Sequence, residues 1–218
     1  DLHSFPTRRS SDLHIVDRAE IDTILATPDL TTWTGRRDHL LFALLYNTGG
    51  RISEVLNVRA GEVHHRIVHL HGKGRKERDV PIWPQTQVEI CAWCADNQLR
   101  SDQYLFANRN GAPLTRRGAA LRLCRTLRSA ETRCPSLKRR KITLHTFRHS
   151  TALHLLQAGV ALEIIALWLG HEQPITTHGY VEADLRMKRE CLRLLKTPPP
   201  ARRLPKKSSH LLSFLEAL

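Results

Sequence analysis

Three groups of side chains in this chain have the types and spacing that phosphate chemistry needs. In "HTFRH", His145 and Arg148 stand three positions apart, so on a helix both project from one side and reach one ligand. The guanidinium is a rigid fork that matches two phosphate oxygens, although an isolated pair of this kind also fits a polar helical stripe. In "GKGRKER", Gly72 and Gly74 permit a tight turn with Lys73 at its tip, from which an amine could enter a groove; a solvated turn is the plain alternative. The GxxxxGK[ST] spacing of a nucleotide-binding loop is absent. The third group is Tyr180, in "LGHEQPITTHGYVEADLRMK", nine positions after His171. Tyr46 and Tyr104 have apolar neighbours and are expected in the core, whereas Thr176, Thr177, His178 and Gly179 precede Tyr180. A phenol ionises near pH ~10, so attack at neutral pH needs a base or strongly positive surroundings. Arg51, Arg148 and the imidazoles would supply them, and simple packing is the competing reading for Tyr180.

Composition bounds the partners. A net charge of +13 over 218 residues favours a polyanion, because each neutralised phosphate releases condensed counterions. Nucleic acid is the expected partner. Five cysteines, odd in number and irregularly spaced, argue against a disulfide framework and for a reducing, cytoplasmic setting. The "CAWC" at 91 to 94 lacks a second ligand pair to complete a zinc site and is expected to pack in the core, so no metal and no cofactor are expected. No apolar run reaches the ~18 residues that span a bilayer, and no membrane partner is expected.

Those side chains need a frame. The first thirteen residues, "DLHSFPTRRSSDL", have neither a helical nor a strand period and resemble a frame translation of a DNA-sequencing adapter; residues 1–13 are expected to be an artefact, with the natural N-terminus cut away. From Val16 the period is helical: "DRAEIDTIL" and "RRDHLLFALLYNTGG" read as core helices, the second stopped by Gly49 and Gly50. "SEVLNV" reads as a short helix with Ser53 as N-cap. "RIVHLHGKGRKERDVPI" then reads as two strands, 66 to 71 and 78 to 82, around the basic turn. Helices are expected at 84 to 99 and 115 to 130, the latter carrying Arg116, Arg117, Arg122, Arg125 and Arg128. "LHTFRHSTALHLLQAG", "LEIIALWLG" and the amphipathic "ADLRMKRECLRLLK" follow, and "TPPPARRLPKKSS" links to a last helix-like "HLLSFLEAL". The expected fold class is mainly α with a small antiparallel β-hairpin or sheet (α+β).

Taken in order, these pieces resemble the catalytic domain of the tyrosine recombinase (phage integrase) family. "TGGRISEVLNV" resembles its first arginine box and places Arg51; "GKGRKERDVPI" resembles its β-hairpin and places Lys73; "HTFRHSTALHLLQAGV" places His145 and Arg148, "LGH" places His171 and "ITTHGY" places Tyr180. The resemblance implies a catalytic domain over residues 14–196, followed by a linker and C-terminal helix over 197–218. It implies DNA strand cleavage and rejoining through a 3′-phosphotyrosyl intermediate, in the service of site-specific recombination or integration by a homo-tetramer on paired sites. Arg51 and Arg148 would grip the non-bridging oxygens, Lys73 would protonate the leaving oxygen, and His145 and His171 would hydrogen-bond the phosphate or take the tyrosine proton. Arg116, Arg117, Arg125, Lys138, Arg139, Arg140 and Lys141 are further candidates for DNA-backbone contact. Gly50 departs from the family, which usually has a bulky apolar residue there, as does Phe147 at a usual leucine. The family's N-terminal helical domain, which clamps the other face of the DNA, is expected to be missing here. The competing functions are a non-catalytic accessory DNA-binding protein and a type IB topoisomerase-like relaxation of DNA.

Overall fold

The structure is a computed structural model and describes residues 15–72 and 77–170, with residues 189, 192 and 193. Lys73, His171, Tyr180, residues 1–13, most of "ADLRMKRECLRLLK" and the C-terminal segment 197–218 lie outside the described residues. Seven α-helices and one three-stranded antiparallel sheet are described, which is the mainly α, α+β class expected.

Helix α1 (Arg18–Leu25) starts at a reciprocal cap: Asp17 accepts the Glu20 N–H at 2.8 Å, and Glu20 accepts the Asp17 N–H at 3.0 Å. Helix α2 (Trp33–Thr48) is buried almost without interruption from Arg37 to Thr48. An all-round buried helix is the axis of a core rather than a surface element. Against it lies α6 (Leu144–Gln157), where Phe147 stacks on Phe42 with ring centroids 5.9 Å apart. Truncating either ring would cost about 3–5 kcal/mol, because packed helices refill such a cavity only in part. Gly49 ends α2 in the left-handed conformation (φ 57°), and a Cβ there would stand 2.5 Å from Leu169 Cδ2.

Helix α3 (Ile52–Leu56) corrects the expected cap. Ser53 lies inside the helix, and Arg51 occupies the cap position with its N–H bonded to the Glu54 carboxylate at 2.9 Å. The carboxylate three residues on reaches an orphan donor that a Ser53 hydroxyl cannot. Strands β1 (Val63–His64), β2 (Ile67–His71) and β3 (Glu77–Pro81) pair antiparallel in that order. Val68, Leu70 and Val80 point inward and are fully buried, whereas His69, His71, Glu77 and Asp79 share the outer face. The sequence gives no hint of β1. It is two residues long and turns into β2 through His65 and Arg66, both at positive φ where glycine or asparagine is the usual signal.

Helix α4 (Pro84–Asp96) stops earlier than the expected residue 99. Asn97 donates to the Trp93 carbonyl at 2.8 Å and accepts from Trp33 Nε1 at 2.6 Å, and Gln98 follows at φ 50°. Helix α5 (Arg116–Ala130) starts at Thr115, whose hydroxyl accepts the Gly118 N–H at 3.0 Å. Helix α7 (Leu162–Leu169) ends at Gly170, again left-handed. Tyr46 is buried as expected, but Tyr104 is only half-buried, stacked under the Arg59 guanidinium at 4.9 Å. Cys94 packs against the core while Cys91, one turn earlier, is exposed, so only half of "CAWC" is core. Among the described residues no helix is long and apolar enough to cross a membrane.

Candidate active site

The ends of α2, α3, β3, α6 and α7 meet at one place. Gly49 and Gly50 turn the chain sharply out of α2 and set Arg51 at the start of α3. Gly50 is closely packed: a Cβ there would stand 2.8 Å from Val55 Cγ2 and 3.3 Å from Leu70 Cδ1. Arg148, on the buried side of α6, donates through NH1 to the Gly49 carbonyl at 2.8 Å and through NH2 to the Leu169 carbonyl at 2.9 Å. These carbonyls belong to the C-terminal ends of α2 and α7, where helix dipoles favour a cation. One guanidinium thus joins two helix ends, and its residual N–H groups stay in a fixed orientation.

Beside it, Glu54 is buried and binds two further arginines. It accepts from Arg51 NH1 at 3.0 Å and from Arg78 NH2 at 2.7 Å, while Arg78 Nε also reaches the Trp168 carbonyl at 3.3 Å. A Cβ on Gly170 would stand 3.0 Å from the Arg78 guanidinium, so the α7 cap and Arg78 fit against each other. Two guanidiniums therefore bind one carboxylate, and the third, Arg148, lies near enough to feel the charges of all three groups, an excess of positive charge that an anion would satisfy. Burial first, then the charges of Arg51 and Arg78, push Arg148 down to about 10, with Glu54 opposing. At neutral pH it stays charged.

His145 sits at the exposed rim, one turn before Arg148, with the His149 ring 4.4 Å away edge-on. Partial burial, then the charges of His149, Arg148 and Arg51, hold its pKa below the ordinary histidine value. It is neutral near pH 7 and so able to accept a proton. Tyr46 offers the opposite case. Its hydroxyl lies 2.8 Å from His154 Nδ1 in the interior, and burial pushes the phenol up to about 12. It is unsuited to attack anything.

Of the residues proposed from sequence, Arg51, His145 and Arg148 come together; Lys73, His171 and Tyr180 fall outside the described residues. Glu54 and Arg78 were not singled out for chemistry. Their signal was present in "RISE" and "KER", but only tertiary structure joins positions 24 residues apart. Arg116, Arg117, Arg125, Lys138 and Lys141 are exposed. Arg140 is paired with Glu20 at 3.0 Å and with the Ile15 carbonyl. Arg139 closes the short 3-10 turn Pro135–Arg139.

The sequence profile of the phage integrase family matches residues 14–186. The chain belongs to the phage integrase family. It is 36% identical over 214 residues to the putative integrase/recombinase y4rC of Sinorhizobium fredii, covering 94% of this chain and 63% of that one. It is 32% identical over 177 residues to the tyrosine recombinase XerC of Chlamydia caviae, covering 78% and 55%. The chain thus spans a little over half the length of these phage integrase family relatives. Among solved structures, the XerH site-specific recombinase bound to its difH substrate superposes with a TM-score of 0.63 at 22% identity, over 78% of this chain and 52% of that one. The Tn1549 transposon integrase in complex with circular intermediate DNA gives 0.60 at 16% identity, over 78% and 64%.

Proposed function

We propose that this chain is the catalytic part of a site-specific recombinase that cuts and rejoins double-stranded DNA through Tyr180. The observation that carries this reading is the cluster of Arg148 with Arg51 and Arg78, the latter two sharing the single carboxylate of Glu54, with neutral His145 at the rim. A scissile phosphate supplies the anion that this cluster lacks. Arg51 and Arg148 would hold its two non-bridging oxygens and meet the charge that grows on them in the transition state. The Tyr180 oxygen would bond to phosphorus as the bond to the 5′-oxygen breaks. Lys73 would give its proton to that leaving oxygen, and His145 or His171 would take the phenolic proton. The freed 5′-hydroxyl of one duplex can then attack the phosphotyrosine on another, so bond energy is conserved and strands are exchanged.

Exchanging both strands of two duplexes requires four cuts, one tyrosine for each, which supports a homo-tetramer on paired sites. The net charge of +13 and the exposed Arg116, Arg117, Arg125, Lys138 and Lys141 support DNA-backbone contact around the cut. The test uses a duplex site selected from random DNA by binding to the chain, nicked just 3′ of the cleavage point so that the short fragment released with a free 5′-hydroxyl diffuses away. Wild type should accumulate a covalent protein–DNA adduct and Tyr180→Phe none, with DNA affinity nearly unchanged. Adducts at the wild-type level in Tyr180→Phe would refute the assignment.

A further inference from the structure

We propose that His69, His71 and Glu77 form a binding site for one divalent transition-metal ion, of the zinc, cobalt or nickel kind, on the outer face of the β2–β3 hairpin. Alternate residues share a strand face, so β2 presents both imidazoles outward, and the register sets Glu77 opposite His71 and Asp79 opposite His69. The Glu77 carboxylate lies between the rings, with Oε2 3.3 Å from His69 Nε2 and Oε1 3.1 Å from His71 Nδ1. Each ring has a second carboxylate behind it. His69 Nδ1 is 2.7 Å from Asp79 Oδ1, and His71 Nε2 is 2.7 Å from Glu62 Oε1.

A carboxylate only accepts, so these two shorter contacts take the single N–H of each neutral ring. The nitrogens that face Glu77 then carry lone pairs directed at carboxylate oxygens. Such a contact needs a cation in the middle: an extra proton on each ring, or one metal ion shared by both. Carboxylates behind the far nitrogens are the arrangement that fixes the tautomer and raises the basicity of metal-bound histidines. The spacing agrees as well. Two ligands each about 2.0–2.1 Å from a tetrahedral zinc lie about 3.3 Å apart, and the two contacts to Glu77 are 3.3 Å and 3.1 Å. All three ligand atoms lie within 4.8 Å of one another, and the group is at the surface where a water could complete the shell. Arg78, between Glu77 and Asp79 in sequence, is turned inward to Glu54, away from the outer face that carries the two imidazoles. Two imidazoles and a carboxylate suit zinc, cobalt or nickel better than magnesium or calcium.

The site stands apart from the arginine cluster and does not depend on the recombinase reading. The test is calorimetric titration of Zn2+ into the full chain, free of any histidine tag and stripped with chelator, with the visible spectrum of Co2+ as a second readout. Wild type should bind one equivalent at this site with a tetrahedral cobalt signature, and His64→Ala/His65→Ala should bind equally well. His69→Ala/His71→Ala should lose that equivalent, and Asp79→Asn, which keeps all three ligands, should weaken it about 10–100-fold. Circular dichroism identifies any variant that fails to fold, and Asp79→Asn then decides the matter alone. Retention of the equivalent in His69→Ala/His71→Ala, or no equivalent in wild type, would mean that protons bridge this cluster and would overturn the proposal.

Discussion

Glu54→Gln removes one negative charge at almost constant shape. The carboxylate accepts the Arg51 main-chain N–H at 2.9 Å, the Arg51 guanidinium at 3.0 Å and the Arg78 guanidinium at 2.7 Å. Glutamine offers one acceptor oxygen and turns N–H donors toward the remaining donors. A buried hydrogen bond to a charged group contributes about 1.5–3 kcal/mol. The Arg51 side chain is 46% exposed, so solvent screening leaves that pair about 0.5 kcal/mol. With one bond kept by the amide oxygen, the net loss is about 3 kcal/mol. In a chain of this size each kcal/mol moves Tm by about 2–4 °C, so the variant should melt about 6–12 °C lower. The sign of the pH dependence follows from the ionisation of Glu54. Burial raises its pKa, but the bonds and charge of Arg78 and the bonds from Arg51 outweigh burial and leave it below its usual value. An acid depressed on folding contributes its full stability above its unfolded pKa of about 4.3 and loses it as pH falls through the folded value. Thermal melts followed by circular dichroism should therefore show the full gap near neutral pH and a shrinking gap below about pH 4. A variant within about 1 °C of wild type at neutral pH, or a gap that persists unchanged into acid, would refute the reasoning.

Three other changes have definite outcomes. Gly49→Ala forces a Cβ into a left-handed residue and to 2.5 Å from Leu169 Cδ2, so thermal melts should show a loss of at least about 1–2 kcal/mol. Tyr46→Phe should leave adduct formation at the wild-type level and lower stability by about 1 kcal/mol, the net contribution of the hydroxyl's bond to His154; loss of adducts in a folded variant would contradict the inert role given to this phenol. Seating a phosphate beside His145 should raise a pKa that burial, His149, Arg148 and Arg51 now hold down. DNA binding should accordingly take up protons just below neutral pH, seen as a dependence of binding enthalpy on the ionisation enthalpy of the buffer, and His145→Gln should reduce that uptake.

Helix positions were readable wherever the period of apolar residues was long, as in α2 and α6, and wherever glycine stops a helix, as at Gly49 and Gly170. Ends set by side-chain bonds from distant elements were not: Asn97 stops α4 because Trp33 holds it, and that pairing spans 64 positions. Arg51, His145 and Arg148 could be proposed because local motifs contain them. Glu54 and Arg78 were missed, since a carboxylate in a first helical turn and an arginine in a strand are ordinary until tertiary structure joins them. Single-strand reading also hides the His69, His71 and Glu77 group, because register across β2 and β3 creates it and "HLH" alone does not.

Charge rescue at the scissile phosphate tests the arginine cluster most directly. A methylphosphonate placed at the mapped cleavage position removes the negative charge that Arg148 is proposed to meet. On ordinary phosphate, Arg148→Ala should cleave about 10²–10³-fold more slowly than wild type, and on the methylphosphonate most of that deficit should disappear. Wild-type cleavage by Arg148→Ala on ordinary phosphate, or an equal deficit on both substrates in a folded variant, would contradict the placement of the phosphate between Arg51 and Arg148.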